Sequence, residues 1–238
     1  MTTVLITGAN RGVGLALARQ YAADGARVIA CCRDPARTDA LEELTASSGS
    51  RVRIMELDVG DEGSIARLKH ALADQPIDIL INNAGILGPK AQSANSINAE
   101  GWIATLRVNA LAPMLIAQAL RDNLKRGSEK KLVAISSGLG STGVGYDGTR
   151  SAYSDRYAYR ASKAALNNGM RGLSRDWAGD GVLVGILAPG LVRTDMGGAY
   201  AAASPAAISR KRVRAVSSAA SLSSRRRQAA PSRTTAAR

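Results

Sequence analysis

Short aliphatic runs alternate along the chain with longer segments of helical periodicity. Runs of five or six residues bounded by glycine or polar residues are typical of buried strands. Strands are predicted at Thr3–Thr7, Arg27–Cys32, Arg51–Glu56, Ile77–Ile81, Leu132–Ser136 and Leu183–Leu187. Helices are predicted at Gly12–Asp24, Pro35–Ala46, Glu62–Ala73, Ile103–Arg126 and Asp155–Ala178. This alternation predicts an α/β fold with a doubly wound parallel sheet, and ligands beyond the carboxyl ends of its strands.

Composition separates a globular part of the chain from a basic tail. The chain has 238 residues, of which 45% are hydrophobic and 21% charged, values typical of folded proteins. The formal charge is +13, but residues 199–238 contribute nine basic and no acidic residues to it. We therefore predict one folded domain, residues 1–198, and an Ala/Ser/Arg-rich, disordered tail, residues 199–238.

Several classes of protein are disfavoured by the sequence. The first apolar stretch, Val4–Ile6, is too short for a signal peptide or a membrane span, so a cytoplasmic protein without membrane contact is expected. Cys31 and Cys32 are adjacent and cannot form an unstrained disulfide with each other. His70 is the single histidine, so we predict neither a metal site nor a Ser/His/Asp triad.

A glycine-rich turn follows the first predicted strand and precedes a helix. Glycines at such a turn let the backbone approach a pyrophosphate at the helix N-terminus, where N–H groups favour anions. The alternative is a tight strand-to-helix turn without a ligand. The predicted cofactor-binding residues here are Gly8, Asn10, Arg11, Gly12, Val13 and Gly14.

The end of the second predicted strand indicates which dinucleotide would bind. Cys32 stands where an acidic residue would bind a free ribose 2′-hydroxyl, and Arg33 follows it. Arg33, with Arg11 in the glycine-rich turn, suits a 2′-phosphate, so NADP(H) is predicted in preference to NAD(H). Asp34 opposes this prediction slightly, because its carboxylate could reach the ribose.

Tyr159 and Lys163 are spaced i to i+4 within a predicted helix, which places the phenol and the ammonium on one face. A nearby ammonium would lower the pKa of the phenol, so that Tyr159 could exchange a proton with a carbonyl oxygen. The alternative for this pair alone is a solvated helix face.

The motifs together resemble the short-chain dehydrogenase/reductases with a Rossmann fold, and in particular their C-factor and sniffer-like carbonyl reductase branch. The resemblance extends from residue 3 to about residue 198. It rests on Thr7-Gly8-x3-Gly12-x-Gly14, Asp58-Val59, Asn82-Asn83-Ala84-Gly85, Asn109, Ser136-Ser137, Tyr159-x3-Lys163, Pro189-Gly190 and Val192-Arg193-Thr194-Asp195.

The resemblance implies a catalytic role for four residues. Tyr159 would be the general acid in reduction, and Ser137, rather than Ser136, would hydrogen-bond the substrate oxygen. Lys163 would bind the nicotinamide ribose and tune Tyr159. Asn109, in a kinked helix, would hold a water that connects Lys163 to solvent.

The resemblance also implies further cofactor contacts in addition to those of Tyr159 and Lys163. They involve Asp58, Val59, Asn82, Ala84, Gly85, Pro189, Gly190, Val192 and Thr194. Asp58 could instead be a turn residue, and Asn82 could cap a loop.

The function expected from the resemblance is NADPH-dependent interconversion of a small-molecule carbonyl and an alcohol, by a homodimer or homotetramer. One alternative is a catalytically weak NADP-binding regulatory or interaction protein that acts through its basic tail, and another is a defective product without function. Nucleic-acid binding is disfavoured, because no aromatic residue follows Tyr200.

The resemblance ends near Gly198, where family members continue with a substrate-covering segment and a final strand. An altered reading frame in GC-rich coding DNA would produce the observed Ala/Ser/Arg enrichment, and a genuine divergent tail is the equal alternative. In either case an open substrate pocket is expected, so the activity of the enzyme is expected to be impaired.

Overall fold

The computed structural model describes residues 1–90, 92–93, 95–143 and 156–196. Six strands in these segments form one sheet, all neighbours are parallel, and the order is β3-β2-β1-β4-β5-β6. The strands are β1 (Thr3–Thr7), β2 (Arg27–Cys32), β3 (Val52–Glu56), β4 (Ile79–Asn82), β5 (Lys131–Ile135) and β6 (Leu183–Leu187). The predicted doubly wound parallel sheet is confirmed.

Helices cover both faces of this sheet. They are α1 (Gly12–Ala23), α2 (Asp39–Ser47), α3 (Glu62–Leu72), α4 (Ala99–Leu106), α5 (Ala112–Ala119), α6 (Arg121–Arg126) and α7 (Tyr157–Asp176). Short 3₁₀ turns occupy Pro35–Arg37, Gly138–Gly140 and Ala178–Asp180. The predicted tail, with its boundary near Gly198, lies outside the described residues.

The core has two apolar layers, one on each face of the sheet. β1 is buried at every position, and its side chains alternate between the layers. Leu5 joins the layer under α3, α5 and α7, whereas Val4 and Ile6 join the layer under α1 and α2. The consecutive apolar residues of β1 are therefore a consequence of burial on both faces.

The predicted helix Ile103–Arg126 is interrupted in the structure. It begins earlier, as α4, passes through a π-helical turn at Arg107–Leu111 and continues as α5 and α6. Pro113 lies in the first turn of α5, where its missing N–H removes a hydrogen bond from the helix. The predicted kink at Asn109 therefore corresponds to the π-helical turn, which turns Asn109 into the protein interior.

The topology brings the predicted site to one edge of the sheet. β1 is at the centre, between β2 and β4, which is the point where the strand order reverses. Because all strands are parallel, the loops after β1, β2, β4, β5 and β6 meet at the carboxyl edge. The predicted catalytic and cofactor-binding residues lie in these loops, in the loop after β3, at the last residue of β4 and in three helical segments, namely α1, the π-helical turn and α7.

Candidate active site

The glycine-rich turn after β1 has a backbone that requires glycine. Gly8 and Gly12 have φ angles of 64° and 60°, in the left-handed region. A Cβ atom at Gly14 would lie 2.2 Å from the carbonyl oxygen of Gly8. Side chains are therefore excluded at these positions, and α1 begins directly against the end of β1.

Asn83, the first residue after β4, holds this turn in place. Its Nδ2 donates to the carbonyl oxygens of Thr7, at 2.9 Å, and Gly8, at 3.0 Å. In return, Thr7 Oγ1 accepts hydrogen bonds from the N–H groups of Asn83 and Ala84, both at 3.0 Å. Our sequence analysis did not select Asn83, although the residue stands within the motif Asn82-Asn83-Ala84-Gly85.

The N-terminus of α1 is suited to a phosphate group. Arg11 precedes the helix without a side-chain capping hydrogen bond, and the first turn contains no acidic residue. The first N–H groups of the helix and its dipole therefore favour an anion. Asn10 and Val13 lie half-buried on either side of Arg11 and Gly12. The residues of this turn fit a dinucleotide pyrophosphate.

The two arginines predicted to read a 2′-phosphate differ in their surroundings. Arg33 is exposed at the end of β2, and it forms no ion pair within the described part of the chain. Asp34 lies 3.9 Å from Arg37 Nε, so its carboxylate has a basic neighbour of its own. Arg11 Nη1 lies 3.9 Å from Asp195 Oδ2, across the site. Arg33 is therefore the better placed of the two for an added phosphate.

The loop after β3 holds Asp58 in a turn. Its Oδ1 accepts the N–H of Gly60 at 2.9 Å, and its own N–H donates to Ser64 Oγ at 3.0 Å. Arg107 Nε donates to the carbonyl oxygen of Gly60 at 2.8 Å, which joins this loop to the π-helical turn. Val59 packs against the apolar core. The turn role considered for Asp58 is thus present, whereas the adenine contacts of Asp58 and Val59 stay predictions.

The end of β4 lies between the glycine-rich turn and the π-helical turn. Asn82 is buried and donates to the carbonyl oxygen of Pro113 at 3.2 Å, while its Oδ1 has no hydrogen-bond partner among the described residues. A Cβ atom at Gly85 would lie 3.1 Å from Asn109 Oδ1 and 3.8 Å from Lys163 Nζ. Gly85 therefore lies directly beside two predicted catalytic residues.

Asn109 connects the loop after β4 to α7. Its Oδ1 accepts the N–H of Ile86, and its Nδ2 donates to the carbonyl oxygen of Ile86, both at 2.8 Å. The same Nδ2 lies 3.0 Å from Ser162 Oγ, which donates to the carbonyl oxygen of Tyr159 at 2.8 Å. Ser162 was not selected from the sequence, although it lies between Tyr159 and Lys163.

Tyr159 and Lys163 lie together on the buried side of α7. Tyr159 is 9% exposed and Lys163 is 4% exposed, so this helix face is not solvated. Lys163 Nζ lies 5.7 Å from the centre of the Tyr159 ring and donates to the carbonyl oxygen of Ile135 at 2.8 Å. Burial lowers the pKa of Lys163 from 10.5 to about 8.

The two serines after β5 have different environments. Ser136 is buried, and its hydroxyl donates to Asn167 Oδ1 at 2.6 Å. Ser137 is half-buried, and its Oγ accepts the N–H of Leu139 at 3.2 Å. The hydroxyl proton of Ser136 is thus engaged within the protein. This difference favours Ser137 as the serine that meets a substrate.

The segment after β6 returns over the glycine-rich turn. Gly190, which follows Pro189, has a φ angle of 76°, and Val192 is buried against the apolar layer that includes α1. A Cβ atom at Gly12 would lie 3.6 Å from Thr194 Cγ2. Thr194 therefore lies close to the glycine-rich turn, at the predicted cofactor site.

Other kinds of site find no support in the described segments. These segments contain no group of three or more His, Cys, Asp or Glu side chains that could hold a metal ion. Cys31 and Cys32 are free and buried, and burial raises the pKa of both thiols. No helix described for this chain is long and apolar enough to cross a membrane.

The chain is similar to several known proteins. The family model described as short chain dehydrogenase matches residues 2–204. FixR of Bradyrhizobium diazoefficiens is 34% identical over 202 residues, which are 81% of this chain and 68% of FixR. Mouse retinol dehydrogenase 14 is 34% identical over 212 residues, which are 82% of this chain and 62% of that protein. This chain thus spans about two thirds of the length of these relatives.

Solved structures of similar proteins include NADP complexes. A short-chain dehydrogenase/reductase from Burkholderia multivorans with bound NADP is 29% identical, with a TM-score of 0.80 over 93% of this chain and 91% of that chain. NADPH-bound carbonyl reductase from chicken fatty liver is 31% identical, with a TM-score of 0.80 over 91% and 85% of the respective chains. Sniffer, a carbonyl reductase of D. melanogaster, is 30% identical, with a TM-score of 0.74 over 90% and 88%. The chain belongs to the short-chain dehydrogenase/reductase family of Rossmann-fold oxidoreductases.

Proposed function

We propose that this chain is an NADP(H)-dependent oxidoreductase that interconverts a carbonyl and an alcohol, with Tyr159 as general acid and base. The observation that carries the proposal is the buried pair on α7, in which Lys163 Nζ lies 5.7 Å from the centre of the Tyr159 ring. A buried ammonium next to a phenol stabilises the negative charge that the phenol acquires when it gives its proton to a substrate oxygen. The carbonyl reductases among the solved neighbours support the reaction type.

The residues at the carboxyl edge of the sheet would hold the cofactor. The glycine-rich turn and the N-terminus of α1 would bind the pyrophosphate, and Lys163 would bind the nicotinamide ribose. Thr194 would contact the carboxamide. A bound nicotinamide cofactor supplies the hydride in reduction and accepts it in oxidation.

The chain itself supplies the proton and the orientation of the substrate. In reduction Tyr159 donates its phenolic proton to the substrate oxygen, and in oxidation the phenolate takes it back. Ser137 accepts the N–H of Leu139, so its own hydroxyl proton is available to hydrogen-bond the substrate oxygen. Asn109, held between Ile86 and Ser162, would keep a water that returns protons to Lys163 and Tyr159.

The preference for NADP(H) rests on the charges at the end of β2. Arg33 is exposed there without a paired carboxylate in the described segments, and Cys32 leaves the strand end without an acid. A guanidinium binds a phosphate through two charge-assisted hydrogen bonds. We therefore propose that NADP(H) binds more tightly than NAD(H). A small-molecule substrate and a homodimer or homotetramer stay predictions.

Replacement of Tyr159 with phenylalanine tests the mechanism. The assay follows loss of nicotinamide absorbance with NADPH and benzaldehyde, acetophenone or menadione. The variant removes only the hydroxyl, so turnover should fall about 100- to 10,000-fold while the affinity for NADPH is unchanged. Tyr157→Phe is the matched control, because Tyr157 lies in the same helix and is 37% exposed. Substantial turnover by Tyr159→Phe would refute the assignment of the proton donor.

A further inference from the structure

The loop that carries Ser137 is attached to α7 on both sides of that residue. On one side, Ser136 Oγ donates to Asn167 Oδ1 at 2.6 Å. On the other, Asn167 Nδ2 donates to the carbonyl oxygen of Gly140 at 3.4 Å. One amide side chain thus contacts the residue before Ser137 and the residue that ends the 3₁₀ turn after it.

Helix geometry explains why Asn167 can make both contacts. It lies one turn after Lys163 in α7, so the two side chains project from the same side of the helix. Gly140 packs directly on that turn, since a Cβ atom there would lie 2.8 Å from the carbonyl carbon of Lys163. The Ser137 loop and the buried lysine are therefore adjacent on one helical surface.

These contacts constrain the hydroxyl of Ser137. The backbone N–H of Gly140 donates to the carbonyl oxygen of Ser137 at 3.0 Å, and the N–H of Leu139 donates to its Oγ at 3.2 Å. Both bonds depend on the 3₁₀ turn, which Asn167 holds at its end. Loss of the amide would release the turn and the orientation of the Ser137 hydroxyl with it.

The same amide distinguishes the two neighbouring serines. Because Ser136 donates its hydroxyl proton to Asn167, that proton is not available to a substrate oxygen. Ser137 makes no such donation to Asn167, and its Oγ acts as an acceptor within the loop. The pairing with Asn167 is thus consistent with one serine serving structure and the other serving chemistry.

We infer that Asn167 is a positioning residue, which acts through Ser136 and Gly140 to hold Ser137 in the geometry needed to bind the substrate oxygen. The inference rests on the proposed function for the role of Ser137. It adds a positioning residue, which does not touch the substrate, to the four predicted catalytic residues.

Hydrogen exchange of the intact chain tests the structural part without turnover. In Asn167→Ala the amides of Leu139 and Gly140 should exchange about fivefold faster or more, because the turn opens locally. Asn123→Ala is the matched control. Like Asn167, Asn123 uses its side-chain amide to join segments that are distant in sequence, because it donates to the carbonyl oxygens of Ala73 and Gln75, each at 2.9 Å. It lies in α6, away from the loop, and should leave these amides unchanged.

Kinetics with NADPH and menadione test the positioning role. Asn167→Ala should lower kcat about ten- to a hundredfold, with the Kd for NADPH changed less than about twofold. Asn123→Ala should keep kcat, even where it lowers the melting temperature. In a Ser137→Ala background, Asn167→Ala should cause no further loss of kcat, because its effect passes through that hydroxyl.

The outcomes separate this inference from the proposed function. Unchanged exchange of Leu139 and Gly140, or losses of kcat that multiply in the Ser137→Ala background, would overturn the role of Asn167. A wild-type chain that oxidises NADPH with none of the carbonyl probes would overturn the proposed function. In that case the exchange measurement would still decide whether Asn167 holds the loop.

Discussion

Replacement of Lys163 with methionine is expected to stabilise the cofactor-free protein at neutral pH. Lys163 is 4% exposed, and no carboxylate pairs with it in the part of the chain that the structure describes. Its ammonium donates to the carbonyl oxygen of Ile135. Burial of the charge lowers the pKa of Lys163 from 10.5 to about 8, so folding is opposed by the buried charge.

The size of the effect follows from this pKa. This decrease in the pKa of Lys163 corresponds to a penalty of about 3 kcal/mol on the charged form of the folded protein. Methionine keeps most of the apolar stem but leaves the Ile135 carbonyl without its donor, which costs about 1 kcal/mol. Lys163→Met should therefore raise the free energy of unfolding by about 2 kcal/mol at pH 7.

The pH dependence has a defined sign. Below pH 8 Lys163 is charged in both the folded and unfolded chains, so the penalty is fully present. Between pH 8 and 10.5 the folded chain releases the proton while the unfolded chain retains it, so the wild-type protein gains stability with pH. The difference from Lys163→Met should shrink over this range.

Urea unfolding followed by tryptophan fluorescence measures this difference at about pH 7 and about pH 10. Lys90→Met is the control, because Lys90 is exposed and its replacement should give no such trend. The reasoning would be refuted by a Lys163→Met protein that is less stable than wild type at pH 7. A stability difference that stays constant up to pH 10 would refute it equally.

Three further predictions concern cofactor choice and two residues that flank β4, Asn83 after the strand and Asp78 before it. Arg33→Ala should weaken NADPH binding about ten- to a hundredfold and barely affect NADH, and an equal loss for both in titration calorimetry would contradict this. Asn83→Ala should lower the free energy of unfolding by about 1 to 3 kcal/mol and weaken NADPH binding, and unchanged affinity would contradict its role in the glycine-rich turn. Burial opposes ionisation of Asp78, but hydrogen bonds from Thr3, Ser128 and Glu129 outweigh it and lower the pKa of the carboxyl. Asp78→Asn should lower the free energy of unfolding by about 2 to 3 kcal/mol at pH 7, measured by urea unfolding. This difference should shrink as the pH falls below 3.8, the ordinary pKa of the carboxyl, and a constant difference would contradict the prediction.

The bounds of three of the six strands could be predicted from the sequence. The predicted bounds of β1, β2 and β6 agree with the structure, since each is an uninterrupted run between turn residues. The other three strands differ by one or two residues, where main-chain pairing rather than hydrophobicity decides the end. For example, the strand predicted to begin at Ile77 begins only at Ile79, as β4.

The helical segments were less predictable because tertiary contacts interrupt them. The segment Pro35–Ala46 is a 3₁₀ turn followed by α2, and the long helix after residue 99 contains the π-helical turn. Apolar periodicity continues through Arg107–Leu111, so local pattern alone does not reveal the change in hydrogen bonding. The contacts of Asn109 with the loop after β4 and with α7 accompany that change.

The residues missed in the site share one property, which is that their partners are distant in sequence. Asn83 binds the turn 75 and 76 residues earlier, and Asn167 binds Ser136, 31 residues earlier. Neither contact produces a periodic pattern in the amino-acid sequence. Asn83 nevertheless stands inside a motif that carried the resemblance, so an interpretation of every polar residue in that motif would have found it, whereas Asn167 lies one helical turn beyond Tyr159-x3-Lys163.

The use of asparagine for these contacts follows from the buried charge of Lys163. An amide donates and accepts at once, so Asn109 can satisfy both backbone groups of Ile86, and Asn167 can hold both ends of the serine loop. A carboxylate could only accept, and near Lys163 it would raise the pKa of the ammonium through charge attraction. Neutral side chains therefore hold the loops in place and leave the pKa of Lys163 under the control of burial.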